Sequence, residues 1–125
     1  MPVLPAALES KCRSSGDTCY VIDFNPRVRT KLGKLRPAVV VQSDIVNEAG
    51  YPSTIVIPTT TRLVNDPESL RLRIKKGEGG LAQESDLLLG QLIAVANESF
   101  RREIGALPDH LTEELERRIR VILSL

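Results

Sequence analysis

One stretch of the chain concentrates positive charge without any acidic residue. From position 27 to position 36 it holds five basic side chains and no aspartate or glutamate: Arg27, Arg29, Lys31, Lys34 and Arg36. Lysines and arginines along a phosphate backbone displace condensed counterions, so this composition favours a loop that binds nucleic acid. The same composition also suits a solvated basic hairpin without a ligand, and the residues alone leave both interpretations open.

Arg36 differs from the other four basic residues because it directly precedes Pro37. A residue before proline is pushed towards extended backbone conformations, which gives Arg36 a rigid base at the start of a strand. A planar guanidinium held in this way is suited to bind a phosphate group through paired hydrogen bonds. The alternative is a strand-end arginine that pairs with a carboxylate.

A second candidate is a run of hydroxyl side chains after Pro58, formed by Thr59, Thr60 and Thr61. The apolar residues before Pro58 predict a strand that ends here, because proline interrupts ladder pairing. Hydroxyl groups at a strand end can donate hydrogen bonds to phosphate oxygens or to a base edge. The plainer interpretation is that threonine simply suits strands and turns.

The usual catalytic groups are scarce in this sequence. The only histidine, His110, is expected to be exposed and to provide no base for a serine or cysteine nucleophile. The two cysteines, Cys12 and Cys19, have no histidine nearby and are expected to be reduced thiols. We therefore expect no metal and no cofactor, and any catalysis would rely on arginine and threonine.

The overall charge and hydropathy bear on location. The formal net charge is only +1, and no apolar stretch approaches the ~20 residues that a membrane span needs. The first residues lack the basic region of a secretory signal. We expect a cytoplasmic protein that makes no membrane contact.

Apolar patterning predicts the elements that position these side chains. Strands are expected at residues 18–24, 36–43, 53–60, 69–74, 87–96 and 102–107, with a turn at 47–52 and one helical turn at 97–101, N-capped by Asn97. The apolar run at residues 38–41 does not alternate, so both faces of its strand should be covered.

A helix is predicted at the C-terminal end, with Asp109 as its N-cap. Its apolar residues fall on one face: Leu111, Leu115, Ile119 and Ile122. Short strands without alternating helices argue against a doubly wound fold, so the expected class is mainly β with helices (α+β), a small bent sheet or barrel. One domain is expected at residues 16–125, after a flexible N-terminal tail at residues 1–15.

Five segments, taken in order, resemble the MazF/PemK-like (Kid-like) toxins of toxin–antitoxin systems. They lie at residues 16–26, 36–40, 55–60, 87–91 and 104–107. The most distinctive of them reads Arg-Pro-Ala-Val-Val and begins at Arg36. The resemblance covers residues 16–125 and implies a small SH3-like β-barrel with a C-terminal α-helix, assembled as a homodimer.

The resemblance also implies an activity and a partner. Toxins of this kind are mRNA interferases, which cleave single-stranded RNA without metal and leave a 2′,3′-cyclic phosphate and a 5′-hydroxyl. By resemblance, Arg36 and Thr60 would be the catalytic residues, while Thr61 and Gln91 would join the basic loop in binding RNA. The protein partner would be a cognate, MazE-like antitoxin.

The sequence departs from the family pattern at two places. Residues 29–32 read Arg-Thr-Lys-Leu where the family has a loop like Gly-Ser-Glu-Gln, and Gly90 stands where aspartate is common. The lost acidic residue keeps two alternatives open: a relative that binds nucleic acid without cutting it, and a CcdB-like gyrase poison. Retention of Arg36 and Thr60 favours the ribonuclease.

Overall fold

The structure is a computed structural model that describes residues 17–24, 35–65 and 70–125 of the chain. Four of the basic loop residues lie outside the described residues: Arg27, Arg29, Lys31 and Lys34. The predicted tail at residues 1–15, including Cys12, lies outside them as well. In the part of the chain that is described, no helix has the length and apolar character needed to cross a membrane.

Strands dominate the described chain. They are β1 (Thr18–Asp23), β2 (Leu35–Val40), β3 (Ser53–Thr60), β4 (Arg71–Ile74), β5 (Ser85–Leu88), β6 (Ile93–Ala96) and β7 (Phe100–Ala106). Two α-helices accompany them, α1 (Asp44–Glu48) and α2 (Asp109–Leu123). Short 3-10 turns lie at Glu78–Gly80, Leu89–Gln91 and Asn97–Ser99.

The strands form one antiparallel sheet in the order β4-β5-β3-β2-β1-β7. β3 is its central strand, because its first half also pairs with β6 while its last two residues pair with β5. The sheet is not closed, since the end strands β4 and β7 do not pair with each other within the described ranges. The predicted class, a mainly β, barrel-like fold with a C-terminal helix, is confirmed.

The turn after β4 brings the two ends of the sheet together. Gly79 and Gly80 have positive φ angles of 64° and 78°, which glycine adopts without steric cost. A Cβ atom on Gly79 would lie 2.9 Å from the sulfur of Cys19, and one on Gly80 would lie 2.5 Å from the carbonyl oxygen of Ile104. The absence of side chains therefore lets this turn pack directly against β1 and β7.

β2 has apolar neighbours on both of its faces. Val39 packs with Cys19 and Ile57 in the larger apolar cluster, which also includes buried residues of α2. Ala38 and Val40 belong to a second cluster on the opposite face. The prediction that this strand is covered on both sides is confirmed.

The helix α2 packs one face against the larger cluster. That face consists of the predicted residues, Leu111, Leu115, Ile119 and Ile122. The predicted N-cap is wrong, because Asp109 is the first helical residue and Pro108 occupies the cap position. In the first turn, the Asp109 carboxylate still lies near the positive end of the helix dipole.

The apolar stretch at residues 87–96 was predicted to form a single strand, and this prediction is wrong. It contains the end of β5, the 3-10 turn Leu89–Gln91 and β6. The break arises because β5 and β6 pair with different halves of β3 in different registers, so the chain must shift between them. Apolar periodicity cannot reveal such a shift, since the residues on both sides of it are equally apolar.

Two polar residues account for further local differences. The hydroxyl of Ser43 accepts a hydrogen bond from the Ile45 amide at 3.1 Å and caps α1. This helix was not predicted, and only its last two residues lie in the predicted turn at 47–52. Asn97 does not cap a helix: its side-chain oxygen accepts a 2.6 Å hydrogen bond from Thr54, and its amide donates to the carbonyl oxygen of Tyr51 at 2.8 Å. The Asn97 side chain thus binds the buried Thr54 hydroxyl of β3 and does not cap a helix.

Candidate active site

A cleft of about 270 Å³ opens between the start of β2 and the end of β3. The residues that line it are Leu35, Arg36, Pro37, Thr59, Thr60, Thr61, Leu81, Ala82, Gln83 and Ser85. The cleft thus brings together both predicted catalytic residues, Arg36 and Thr60, and one of the predicted RNA-binding residues, Thr61.

Arg36 lies in β2 opposite Ile22 of β1, and its side chain is half-buried. No carboxylate in the described ranges forms an ion pair with it. The described residues therefore do not support the alternative in which Arg36 is a strand-end arginine paired with a carboxylate. A guanidinium carries five N–H donors in a planar fork, which suits it to hold an anion in the cleft.

The three threonines at the end of β3 have different roles. Thr59 is buried, and its hydroxyl donates to the carbonyl oxygen of Pro37 at 2.8 Å, which ties β3 to β2 beside Arg36. Thr60 is half-buried, and its hydroxyl oxygen accepts from the Arg62 amide at 3.1 Å. Within the described ranges the hydroxyl hydrogen of Thr60 has no acceptor, so it can donate into the cleft. Thr61 is exposed at the rim.

Gln91 is the one predicted site residue in the described chain that lies away from this cleft. It is exposed in the 3-10 turn between β5 and β6 and lines a different cavity of about 300 Å³. That cavity is shared with Leu70, Arg71, Leu88 and Gly90. The structure therefore separates Gln91 from Arg36 and Thr60.

A buried carboxylate, Asp86, lies next to the site and was not among the residues predicted from the sequence. Asp86 is 1 % exposed and pairs in register with Thr60. Arg73 Nε donates to its Oδ1 at 2.5 Å, and Arg71 Nη1 donates to its Oδ2 at 3.0 Å. Burial by itself would raise the pKa of Asp86, but hydrogen bonds from Arg73, Arg71 and the Val64 amide outweigh it and lower that pKa.

The signal for this group was present but ambiguous. Asp86 stands between the polar residues 83–85 and the apolar run that begins at Leu87, and two arginines alternate with apolar residues in β4. Such a pattern is also typical of a half-solvated strand beside a loop, so pairing of the three charges could not be derived from it. Thr59 was missed in its structural role because only the register places it beside Pro37.

Two groups outside the cleft have raised pKa values. Burial, and then the nearby Glu116 carboxylate, raises the pKa of Asp17 to about 7. Burial, and then Asp17, raises the pKa of the Cys19 thiol to about 12. A thiol with this pKa stays protonated at neutral pH and is a poor nucleophile. Neither residue lines the cleft.

His110 is exposed, as predicted, with its Nε2 3.5 Å from a carboxylate oxygen of Glu78. It does not line the cleft. Among the residues that the structure describes, no group of three or more histidine, cysteine, aspartate or glutamate side chains is arranged to hold a metal ion.

Comparisons with known proteins identify relatives of this chain. Residues 18–123 match the family described as the PemK-like, MazF-like toxin of type II toxin-antitoxin systems. The chain is 26% identical over 106 residues to the endoribonuclease EndoA of Bacillus subtilis, with 85% of this chain and 90% of that protein covered. It is 25% identical over 107 residues to the endoribonuclease MazF of Staphylococcus saprophyticus, with 85% and 88% covered.

Solved structures show the same fold. The Mycobacterium tuberculosis toxin MazF-mt6 superposes with a TM-score of 0.70 at 18% identity, covering 86% of this chain and 97% of that one. A MazE–MazF structure from Deinococcus radiodurans gives a TM-score of 0.71 at 17% identity, covering 90% and 96%. Since the family match spans nearly the whole chain from β1 to α2, the protein belongs to the PemK-like, MazF-like toxins of type II toxin–antitoxin systems.

Proposed function

We propose that this protein is a sequence-selective, metal-independent endoribonuclease, an mRNA interferase toxin that cleaves single-stranded RNA in the cleft between β2 and β3. One observation carries the proposal: Arg36 lines the cleft beside Thr60 and has no acidic partner among the described residues. A cation without a counter-charge, next to a free hydroxyl hydrogen, is an arrangement that favours an anionic ligand. The relatives named endoribonucleases support the same activity.

In the proposed reaction, the 2′-hydroxyl oxygen of RNA attacks the adjacent phosphorus. The new P–O2′ bond forms, the P–O5′ bond breaks, one proton leaves the 2′-hydroxyl and one reaches the departing 5′ oxygen. Negative charge grows on the non-bridging oxygens during this exchange, and the Arg36 guanidinium stabilises it. The Thr60 hydroxyl donates to the phosphate while its oxygen keeps the hydrogen bond from Arg62.

The basic residues that precede Arg36 extend the proposed RNA-binding surface. Arg27 is nine positions from Arg36, so a fully extended chain would keep it within about 30 Å of the cleft. We assign RNA backbone contacts to Arg27, Arg29, Lys31 and Lys34. Thr61 at the cleft rim and Gln91 in its separate cavity complete the proposed RNA-binding set.

The proposed assembly is a symmetric homodimer that works in the cytoplasm and is neutralised by a MazE-like antitoxin. Several apolar side chains of β6 and the end of α2 are exposed: Ile93, Val121, Leu123 and Leu125. A second copy that covers such a surface would remove it from water. Light scattering at tens of micromolar protein should give the mass of two chains, and a monomer mass would contradict the dimer.

The activity is tested by incubating the protein with one long RNA in the presence of EDTA and mapping the fragment ends. Discrete fragments with 2′,3′-cyclic phosphate and 5′-hydroxyl ends are expected. RNA that is retained in a gel-shift assay but stays intact would instead indicate a binding relative. Intact RNA together with inhibition of gyrase supercoiling would indicate a CcdB-like poison.

A further inference from the structure

Asp86 is an almost completely buried carboxylate. It lies in β5 between the sheet neighbours Thr60 of β3 and Arg73 of β4. Its two flanking residues, Ser85 and Leu87, are buried as well. An ionised group in such a place is tolerated only when other groups supply strong hydrogen bonds, as Arg71 and Arg73 do here.

The same two arginines also hold a segment that has no strand partner. Arg71 Nη1 donates to the carbonyl oxygen of Arg62 at 3.0 Å, and Arg73 Nη2 donates to the carbonyl oxygen of Val64 at 3.1 Å. Residues 61–65 are exposed and lie outside any strand. Their backbone is therefore fixed to the sheet by two guanidinium groups, and both guanidinium groups are oriented by Asp86.

The fixed segment begins directly at the cleft. The Arg62 amide donates to the Thr60 hydroxyl, and the Arg62 carbonyl accepts from Arg71. The backbone of one residue, Arg62, thus joins the buried ion cluster to the hydroxyl that we place on the scissile phosphate. A shift of Arg62 would change both the position of the Thr60 oxygen and the direction of its hydrogen.

We infer that Asp86 is a positioning residue, which aligns Arg71 and Arg73 on the segment 62–65 and thereby fixes the Thr60 hydroxyl in the cleft. The inference rests on the proposed function of Thr60. It assigns to Asp86 no contact with RNA.

The structural part is tested by limited proteolysis with trypsin, which cuts after the exposed Arg62. Asp86→Asn keeps the shape of the side chain but removes its charge, so cutting between Arg62 and Leu63 should become about tenfold faster. Glu84→Gln is the matched control, because it also removes a carboxylate charge beside Arg73, but from a half-exposed side chain at the longer distance of 3.7 Å. That control should be cut within about twofold of the wild-type rate.

Two results of this experiment would overturn the inference. One is an unchanged cutting rate at Arg62 in Asp86→Asn. The other is an equal acceleration after Arg117 in α2, because loosening of the whole fold would then explain both sites. Circular dichroism at the assay temperature checks that every variant is folded.

The catalytic part is tested by a double-mutant cycle in single-turnover RNA cleavage. A lost neutral hydrogen bond predicts that Thr60→Ala slows cleavage about fivefold. If Asp86 acts through Thr60, Asp86→Asn should slow cleavage about threefold in the wild-type background and no further in Thr60→Ala. Glu84→Gln should cleave at the wild-type rate in both backgrounds.

The outcomes separate the two proposals. Additive losses, or a loss in Asp86→Asn greater than that in Thr60→Ala, would overturn the positioning role. Normal cleavage by Asp86→Asn beside a slow Thr60→Ala variant would do the same. Normal cleavage by Thr60→Ala itself would show that the proposed role of Thr60 is wrong, and the catalytic part of this inference would fall with it.

Discussion

At the scale of single residues, the reaction that we propose for the cleft depends on one cation. Arg36 is half-buried before Pro37, and no acid in the described chain neutralises it. A preorganised donor of this kind is worth about 10²–10³ in rate, and a share in proton transfer would add about 10² more. We expect Arg36→Ala to slow RNA cleavage by ~10³ or more.

The measurement is single-turnover cleavage of a short RNA that contains a mapped site, with EDTA present. Arg36→Lys is the control, because an ammonium keeps the charge but loses the planar fork, so it should recover only part of the rate. Circular dichroism confirms the fold of each variant. Cleavage by Arg36→Ala within tenfold of wild type would show that another group carries the reaction.

At the scale of elements, the basic loop before β2 is expected to bind the RNA backbone without reading its sequence. Replacing Arg27, Lys31 and Lys34 with alanine should weaken binding to all RNA sequences alike. The slope of log affinity against log salt should flatten by roughly 0.7 for each lost phosphate contact, about 2 in total. Fluorescence anisotropy over a salt series measures this slope.

The control for the loop removes positive charge elsewhere. Lys75 and Lys76 are exposed after β4 and do not line the cleft. Their replacement by alanine should leave the salt slope unchanged. A triple loop variant that keeps the wild-type slope would mean that the loop is a solvated hairpin.

The secondary-structure elements could be predicted from the sequence only in part. β3 was predicted with the bounds that the structure has, because Pro58 and the threonines after it mark its end. The face of α2 was predicted because apolar residues recur at helical spacing. The break at Leu89–Gln91 was missed because β5 and β6 pair with β3 in different registers. Such registers depend on contacts between residues that are distant in sequence.

The candidate site could likewise be predicted from the sequence only in part. Arg36 and Thr60 could be selected as candidates because proline, charge and hydroxyl groups mark them locally. Their meeting in one cleft depends on pairing of β2 with β3, and the sequence supports that only through the family resemblance. The ion cluster of Asp86 could not be predicted, since its charges come from two strands whose register the sequence does not state.

At the scale of the whole molecule, stability should depend on pH through Asp17. Its pKa is raised from 3.8 to about 7 in the folded protein, so the folded state holds this proton more firmly than the unfolded chain. The free energy of unfolding should therefore fall as pH rises from about 4 to about 7, and the loss should be complete above that range. Asp17→Asn should remove this dependence.

Urea unfolding at about pH 4 and pH 8 measures the effect. Asp17→Asn should match wild type at the lower pH and exceed it in stability at the higher one. Glu116→Gln should give a smaller gain at the higher pH, since Glu116 is the lesser cause of the shift. Equal stabilities of Asp17→Asn and wild type at both values would contradict the buried, protonated state of Asp17.

The pairing of β1 with β7 has a consequence for how this toxin is made. β1 lies near the start of the chain, β7 lies near its end, and the glycine turn before β5 packs against both. A ribosome releases the N-terminal residues first, so β1 can pair with its outer neighbour β7 only after the strands between them have been synthesised. Contacts between such distant residues also form slowly. The sheet can therefore be completed only after β7, which ends at residue 106, has left the ribosome, so β1 can pair with β2 well before it can pair with β7.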